Sequence, residues 1–230
     1  MSALDPVLRL LKQGTENRET FFRRIEQFFP TLDPRYKAIE RAYNDAKDAF
    51  HGKEREGGDR YFEHIRAVAL ILIDHLRVRN HTLIIAALLH DIVEDCPEWT
   101  ILRVRTEYGE EVALLVEWLT KPDYAWNSKQ ENVRIYHKRF RFAPREFFLI
   151  KLADRLHNLV TLWPCSTEKK LRKTEETWAY YVIWAEEHCI LVHEIEEALA
   201  QLGNAIDKER EQAMPSQGIL GLNDDEDIPF

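Results

Sequence analysis

Apolar side chains recur at helical spacing along almost the whole chain. In DPRYKAIERAYNDAKDAF (33–50), Tyr36, Ile39, Ala42, Tyr43 and Ala46 fall three or four residues apart, on one stripe of a helix. Asp33 is placed to cap that helix and Pro34 to open it, where the missing amide hydrogen is not needed. FFRRIEQFF (21–29) repeats the pattern and stops at Pro30. The charged stretch HGKEREGGDR (51–60), with three of the eight glycines, reads as a loop. A buried helix is predicted over 61–76, then one over 83–95, capped by Thr82 and closed by Pro97. Further helices are predicted over 100–108, 110–120, 129–140 and 144–162, with PDYAWNS (122–128) as a mobile connection. A long helical pattern runs from Thr167 to about Met214, with a break expected near Gly203. No period-two alternation competes, so the expected fold is all-α. N-terminal helices are expected over 1–40, the main domain over 41–214 and a disordered, solvated tail over 215–230.

Composition narrows the function. The chain's 230 residues suit one domain with a sizeable core. Against 32 basic residues stand 40 acidic ones, a net charge of −8, half of it from NDDEDIPF (223–230). That balance argues against a nucleic-acid coat, which needs a basic face, but leaves room for a local basic pocket around a small anion. Cys96, Cys165 and Cys189 are too widely spaced for a disulfide framework or a zinc ribbon, which fits a reducing cytoplasm. The N-terminus lacks a secretory pattern. The apolar runs at 68–73 and 83–89 are too short to span a bilayer, so no membrane partner is expected. The sequence specifies no oligomeric state.

Three polar anomalies sit in otherwise apolar helices. LLHDIVEDC (88–96) sets His90 and Asp91 among Leu, Ile and Val. On a continuous helix these two side chains point about 100° apart, with Glu94 one turn further along. His64 lies in RYFEHIRAVALIL (60–72) and Asp154 in FFLIKLADRLHN (147–158). Each alone has an ordinary reading: a hydrogen-bonded core histidine, a chance His-Asp pair, an aspartate bridged to Lys151 or Arg155. Burying such groups without partners costs about 1–3 kcal/mol each. Their conjunction on three helices points to a divalent cation held by His64, His90, Asp91 and Asp154. Manganese, iron and zinc all accept this mixture of imidazole and carboxylate. Glu94 and Asp95 are the nearby carboxylates not used as ligands, suited to orient a water or accept its proton.

TLIIAALLHDIVEDC (82–96), EYGEEVALLVEWLTK (107–121) and LIKLADRLHNLVTL (149–162) together resemble the hydrolase domain of the RelA/SpoT family. These are HD-superfamily enzymes acting on guanosine tetra- and pentaphosphate. The likeness continues in REGGDRYFEH (55–64) and, more loosely, in EETWAYYVIWAEEHCILVHEIEEAL (175–199), covering about residues 40–200. It implies a helical HD bundle with a single metal site, His64, His90, Asp91 and Asp154 holding Mn2+, other divalent metals being acceptable. It implies that Glu94 and Asp95 serve the hydrolytic step. Arg55 would meet the purine and its phosphates, with Asn158 and Thr161 beside the nucleoside and Lys151 and Arg155 neutralising phosphate. The implied reaction removes the 3′-diphosphate, giving GDP or GTP and pyrophosphate. The chain's length leaves no room for synthetase and regulatory domains, so a small, hydrolase-only form is expected.

This sequence also departs from the family pattern. Glu56 stands where a basic residue is usual, and Gly58-Asp59-Arg60-Tyr61 replaces Gly-Glu-Pro-Tyr. Trp118 takes the place of a common glycine, and Pro144 and Glu146 those of Asp and Arg. Glu56 reverses a charge beside a polyanion, which Arg60 is expected to restore. Two alternatives remain: an HD phosphohydrolase for an adenosine alarmone, NADPH or a nucleoside monophosphate, and a non-catalytic nucleotide-binding regulator. Loss of a ligand or of the Glu-Asp pair would favour the regulator, and all six residues are present.

Overall fold

A computed structural model describes residues 2–12 and 16–213, so the expected acidic tail lies outside the described residues. In chain order the helices are α1 (Asp5–Leu10), α2 (Arg18–Glu26), α3 (Pro34–Ala49), α4 (Tyr61–Leu70), α5 (His81–Leu88), α6 (Ile92–Asp95) and α7 (Ile101–Tyr108). They continue as α8 (Glu110–Leu119), α9 (Lys129–Arg139), α10 (Arg145–Val160), α11 (Thr167–Tyr180), α12 (Val182–His188) and α13 (Val192–Ala213). Among the described residues there is no strand, only an isolated bridge between Glu54 and Arg60. The fold is all-α. None of these helices is long and apolar enough to cross a membrane.

Helix starts follow local chemistry. Asp33 accepts the Arg35 amide at 2.8 Å with Pro34 opening α3, and Thr100 and Ser166 cap α7 and α11. Gly109 separates α7 from α8 at φ +89°, a conformation that a Cβ disfavours. The helical stripes bury as their spacing requires: Ile39, Ala42 and Ala46 on α3 are fully buried, as are Ile84, Ala86, Ala87 and Leu88 on α5. One core runs from Leu4 to Leu202. At its centre lies α10, which packs against α4, α5, α8, α11, α12 and α13. That position sets the KLAD segment against the helix that carries His64.

Three predicted helices break where the sequence reads as continuous. The segment 83–95 is two helices, and the cap is Asn80, whose side chain accepts the Thr82 amide at 2.8 Å. The chain turns through Leu89 (φ −110°, ψ 7°) and Asp91 (φ −106°, ψ 0°) before α6 begins. His90 Nδ1 donates to the Ala87 carbonyl at 2.8 Å, the group that an unbroken helix would bond to the Asp91 amide. His90 and Asp91 therefore sit on a turn and are not fixed at helical angles. The segment 61–76 passes after Leu70 into a π-helical turn, Ile71–His75. The stretch from Thr167 breaks not at Gly203, which is helical within α13, but after Tyr180 and again at 189–191. There Cys189 (φ 53°) and Leu191 (φ 54°) take left-handed conformations. That redirection lets α12 and α13 both pack on α10, burying Ala185, Ile190, Ile195 and Leu199.

Candidate active site

Three elements deliver the metal-site candidates. His64 comes from α4, His90 and Asp91 from the turn between α5 and α6, and Asp154 from the middle of α10; all four are buried. The ligand atoms of His64, His90 and Asp91 lie within 4.8 Å of one another. Asp154 Oδ1 lies 3.3 Å from His64 Nε2 and 3.8 Å from His90 Nε2, and Asp91 Oδ2 lies 3.2 Å from His90 Nε2. The structure thus brings the whole predicted set together.

Neighbouring groups aim these donors. With its Nδ1 proton on Ala87, His90 presents the Nε2 lone pair. His64 Nδ1 meets Nδ1 of the buried His157 at 2.9 Å, and a proton held there by His64 frees its Nε2 in the same way. The two Nε2 atoms are 3.3 Å apart. Tyr61 donates to Asp91 at 2.8 Å. Asp154 accepts from Lys151 at 2.9 Å and from Asn158 at 2.6 Å. Two imidazole lone pairs and two carboxylates converging in a buried space are a donor set that fits a divalent cation.

The electrostatics point the same way. Burial opposes a charged Asp91, but His90 and the hydrogen bonds from both histidines hold its pKa well below the usual range. Burial likewise works against Asp154, and Lys151, His64 and His90 overcome it. Burial also disfavours a charged His90, yet Asp91 and Asp154 raise its pKa to about 9. The carboxylates that draw a proton there would draw a metal ion, and His90 must release the proton to ligate. His157 is held neutral by burial, with His64 and Arg55 adding to the effect, so it can accept the His64 proton.

A cavity of about 990 Å³ opens beside His64. Three of the predicted substrate residues meet in its wall: Arg55 donates to Thr161 at 2.9 Å and to Asn158 at 2.6 Å, and lies 3.4 Å from His157. The 54–60 loop reaches α10 because Gly57 passes close to Pro164, where a Cβ would stand 3.0 Å from the ring. Lys151 and Arg155 are placed differently. Both are buried and do not line this cavity; Arg155 pairs with Glu176 at 2.9 Å and stacks 3.8 Å from the Tyr181 ring. Lys169 and Lys173 contribute cationic groups to the cavity wall instead. Lys169 also pairs with Glu56, while Arg60 pairs with Glu63, so the charge that Glu56 reverses is met from α11 and not by Arg60. Glu94 and Asp95 stand on α6, just past Asp91. Glu94 accepts the Lys121 amide at 2.6 Å and its ammonium at 2.8 Å. Burial raises the Asp95 pKa, with Asp91 and Glu94 adding to the rise and Tyr61 opposing it.

Tyr61, Lys121, His157, Lys169 and Lys173 were not singled out from the sequence as site residues. A signal existed for two of them: Tyr61 and His157 each stand three residues from one of the converging residues, His64 or Asp154, on the same helical face.

A model of the family described as HD domain matches residues 42–187, which span all four converging residues. The chain belongs to the HD-domain family. It is 35% identical over 188 residues to the bifunctional (p)ppGpp synthase/hydrolase SpoT of Escherichia coli K12, covering 79% of this chain and 26% of that protein. It is 39% identical over 159 residues to a guanosine-3′,5′-bis(diphosphate) 3′-pyrophosphohydrolase of Aquifex aeolicus, covering 68% of this chain and 22% of that protein. This HD-domain chain therefore spans about a quarter of the length of the curated relatives it matches. A solved structure of a metazoan ortholog of SpoT, described as hydrolysing ppGpp, superposes with a TM-score of 0.53 at 25% identity. That match covers 77% of this chain and 97% of the other.

Proposed function

We propose that this HD domain is a metal-dependent pyrophosphohydrolase that removes the 3′-diphosphate from guanosine tetra- and pentaphosphate, with Mn2+ held by His64, His90, Asp91 and Asp154. The observation that carries the reading is the junction of two sites: the cavity walled by the Arg55–Asn158–Thr161 network reaches the converging donors at one of them, His64, beside His157. When bound, a divalent cation supplies Lewis-acid polarisation of a phosphoryl oxygen and a water of lowered pKa. Arg55, already oriented by Asn158 and Thr161, presents a planar cation to purine or phosphate. Glu94 and Asp95 lie past Asp91 to orient the water and take its proton. The water oxygen bonds to the phosphorus next to the ribose 3′-oxygen. The P–O3′ bond breaks, pyrophosphate leaves and the 3′-oxygen takes up a proton. Lys151 and Arg155 act behind this surface, bracing Asp154 and α11, with Lys169 and Lys173 nearer the substrate. The names of the relatives, together with the nucleotide-sized cavity, support an enzyme for a small nucleotide and not for a nucleic acid, and the widely spaced cysteines fit a reducing cytoplasm.

The test is incubation with manganese and a panel of guanosine 3′-diphosphates, their adenosine counterparts and ordinary 5′-monophosphates, with products separated by chromatography. Release of pyrophosphate and GDP or GTP from the guanosine 3′-diphosphates is expected. Preferred turnover of the monophosphates would refute the reading.

A further inference from the structure

The cavity at His64 is not built by the HD domain alone. The family match begins at residue 42, yet Leu8, Leu10 and Leu11, from α1 and the residue after it, form part of the cavity wall. Ala67, Leu70 and Leu162 extend this apolar part, while Arg55, Asn158 and Thr161, together with charged groups such as Lys12, Glu16, Glu63 and Arg66, supply the polar part.

α1 has six residues, and isolated helices below about 12–15 residues are marginal in water, so tertiary contacts must hold it. Leu4 and Val7 do so, being 1% and 0% exposed. The Glu197 carboxylate on α13 accepts from the Ser2 hydroxyl and from the Leu4 amide, the latter at 3.2 Å. Further along, the Glu16 carbonyl accepts from Arg66 on α4 at 2.6 Å, and its carboxylate from Arg24 at 2.6 and 2.9 Å. None of these anchors uses Leu8, whereas Leu10 and Leu11 also pack against the core. Leu8 remains 39% exposed while lining the cavity. An apolar wall offers neither charge nor hydrogen bond, so the phosphates of a nucleotide stay with the cations and its flat base is the part that gains by lying there.

Resting on the nucleotide reading above, we propose that α1 adds a specificity wall from outside the HD domain: Leu8, Leu10 and Leu11 pack against the nucleobase and set the affinity for nucleotides. Because leucine contact carries no hydrogen-bond pattern, guanosine and adenosine substrates gain equally from it. Pyrophosphate, which has no base, gains nothing.

Steady-state kinetics with manganese test this on Leu8→Gln, Leu11→Gln and the double variant, each checked for helicity by circular dichroism. The double variant is expected to raise KM for guanosine tetraphosphate about tenfold, with kcat within about twofold and the inhibition constant of pyrophosphate unchanged. Leu8→Met, which keeps the apolar contact, should retain the original KM. If the double variant fails to fold, Leu8→Ala at its half-exposed position takes its place, with a rise of about threefold. An unmoved KM beside normal turnover overturns the wall alone, as does an equal shift in KM and in pyrophosphate inhibition. Failure of the unaltered protein to turn over guanosine tetraphosphate overturns the function reading, and this proposal with it.

Discussion

Glu94 is held at both carboxylate oxygens by Lys121, through the backbone amide and the ammonium, so its orientation does not depend on the converging donors beside it. Glu94→Gln keeps the length of the side chain and removes its charge and proton-accepting power. We expect turnover to fall by about 100- to 10,000-fold, the range for loss of general-base work. Manganese affinity, measured by isothermal titration calorimetry, should stay within about threefold, because Glu94 is not one of the four converging residues. An active Glu94→Gln enzyme would transfer the role to Asp95. His157 is the opposite kind of residue: it touches no scissile bond in the proposed reaction, yet it orients His64 and lies beside Arg55. Its neutrality is what lets it accept the His64 proton.

At the scale of elements, the interface of α9 with α11 and the residues just after it carries a buried titratable group away from the four converging residues. His137 stacks on Tyr180 at 4.0 Å, nearly parallel, and contacts the Tyr181 hydroxyl at 3.2 Å. Burial, aided by Arg155, Lys151 and Lys121 and opposed by Glu176, lowers its pKa from 6.5 to about 4. The unfolded chain therefore binds this proton first as pH falls. Stability from a neutral His137 is complete above about pH 6.5 and is lost progressively as pH falls towards 4, amounting to about 3 kcal/mol. Denaturant unfolding at pH 7 and pH 5 should show the loss, and His137→Phe should flatten the profile across that window. An unchanged slope in the variant would assign the acid sensitivity elsewhere. The turn between α5 and α6 shows another property of elements: a helix ends where a side chain takes the carbonyl that the backbone would have used.

For the molecule as a whole, a metal held as proposed would be linked to stability through the converging donors. His64, His90, Asp91 and Asp154 join α4, the α5–α6 turn and α10, the central helix, so a cation held by all four favours the folded state alone. At free manganese about 100-fold above its Kd the gain is about 2.7 kcal/mol. For a chain of this size, that corresponds to a fall in Tm of about 5–10 °C when a chelator removes the ion. Differential scanning fluorimetry with and without chelator reads it directly. A Tm indifferent to manganese would contradict a centre shared by the three elements.

Apolar periodicity specified the all-α class and most helix positions, because a stripe at intervals of three and four can be buried in only one way. Polar residues in apolar helices singled out His64, His90, Asp91 and Asp154, and the structure brings these four side chains together. The resemblance in LLHDIVEDC and KLADRLHN pointed to the chemistry of the relatives, and the family match over 42–187 agrees with it. Where helical patterns break was not legible. The turn at Leu89–Asp91 depends on a side-chain bond to Ala87, and the left-handed Cys189 and Leu191 are held by the packing of α12 and α13 on α10. Charge pairing across elements was equally hidden. Arg155 reads from the sequence as a partner of Asp154 or of phosphate but pairs with Glu176, and Glu56 is met by Lys169, 113 residues away. Periodicity and composition are local properties that a sequence carries in full. Which carboxylate meets which ammonium, and which leucines line a cavity, is decided by the approach of elements distant in the chain.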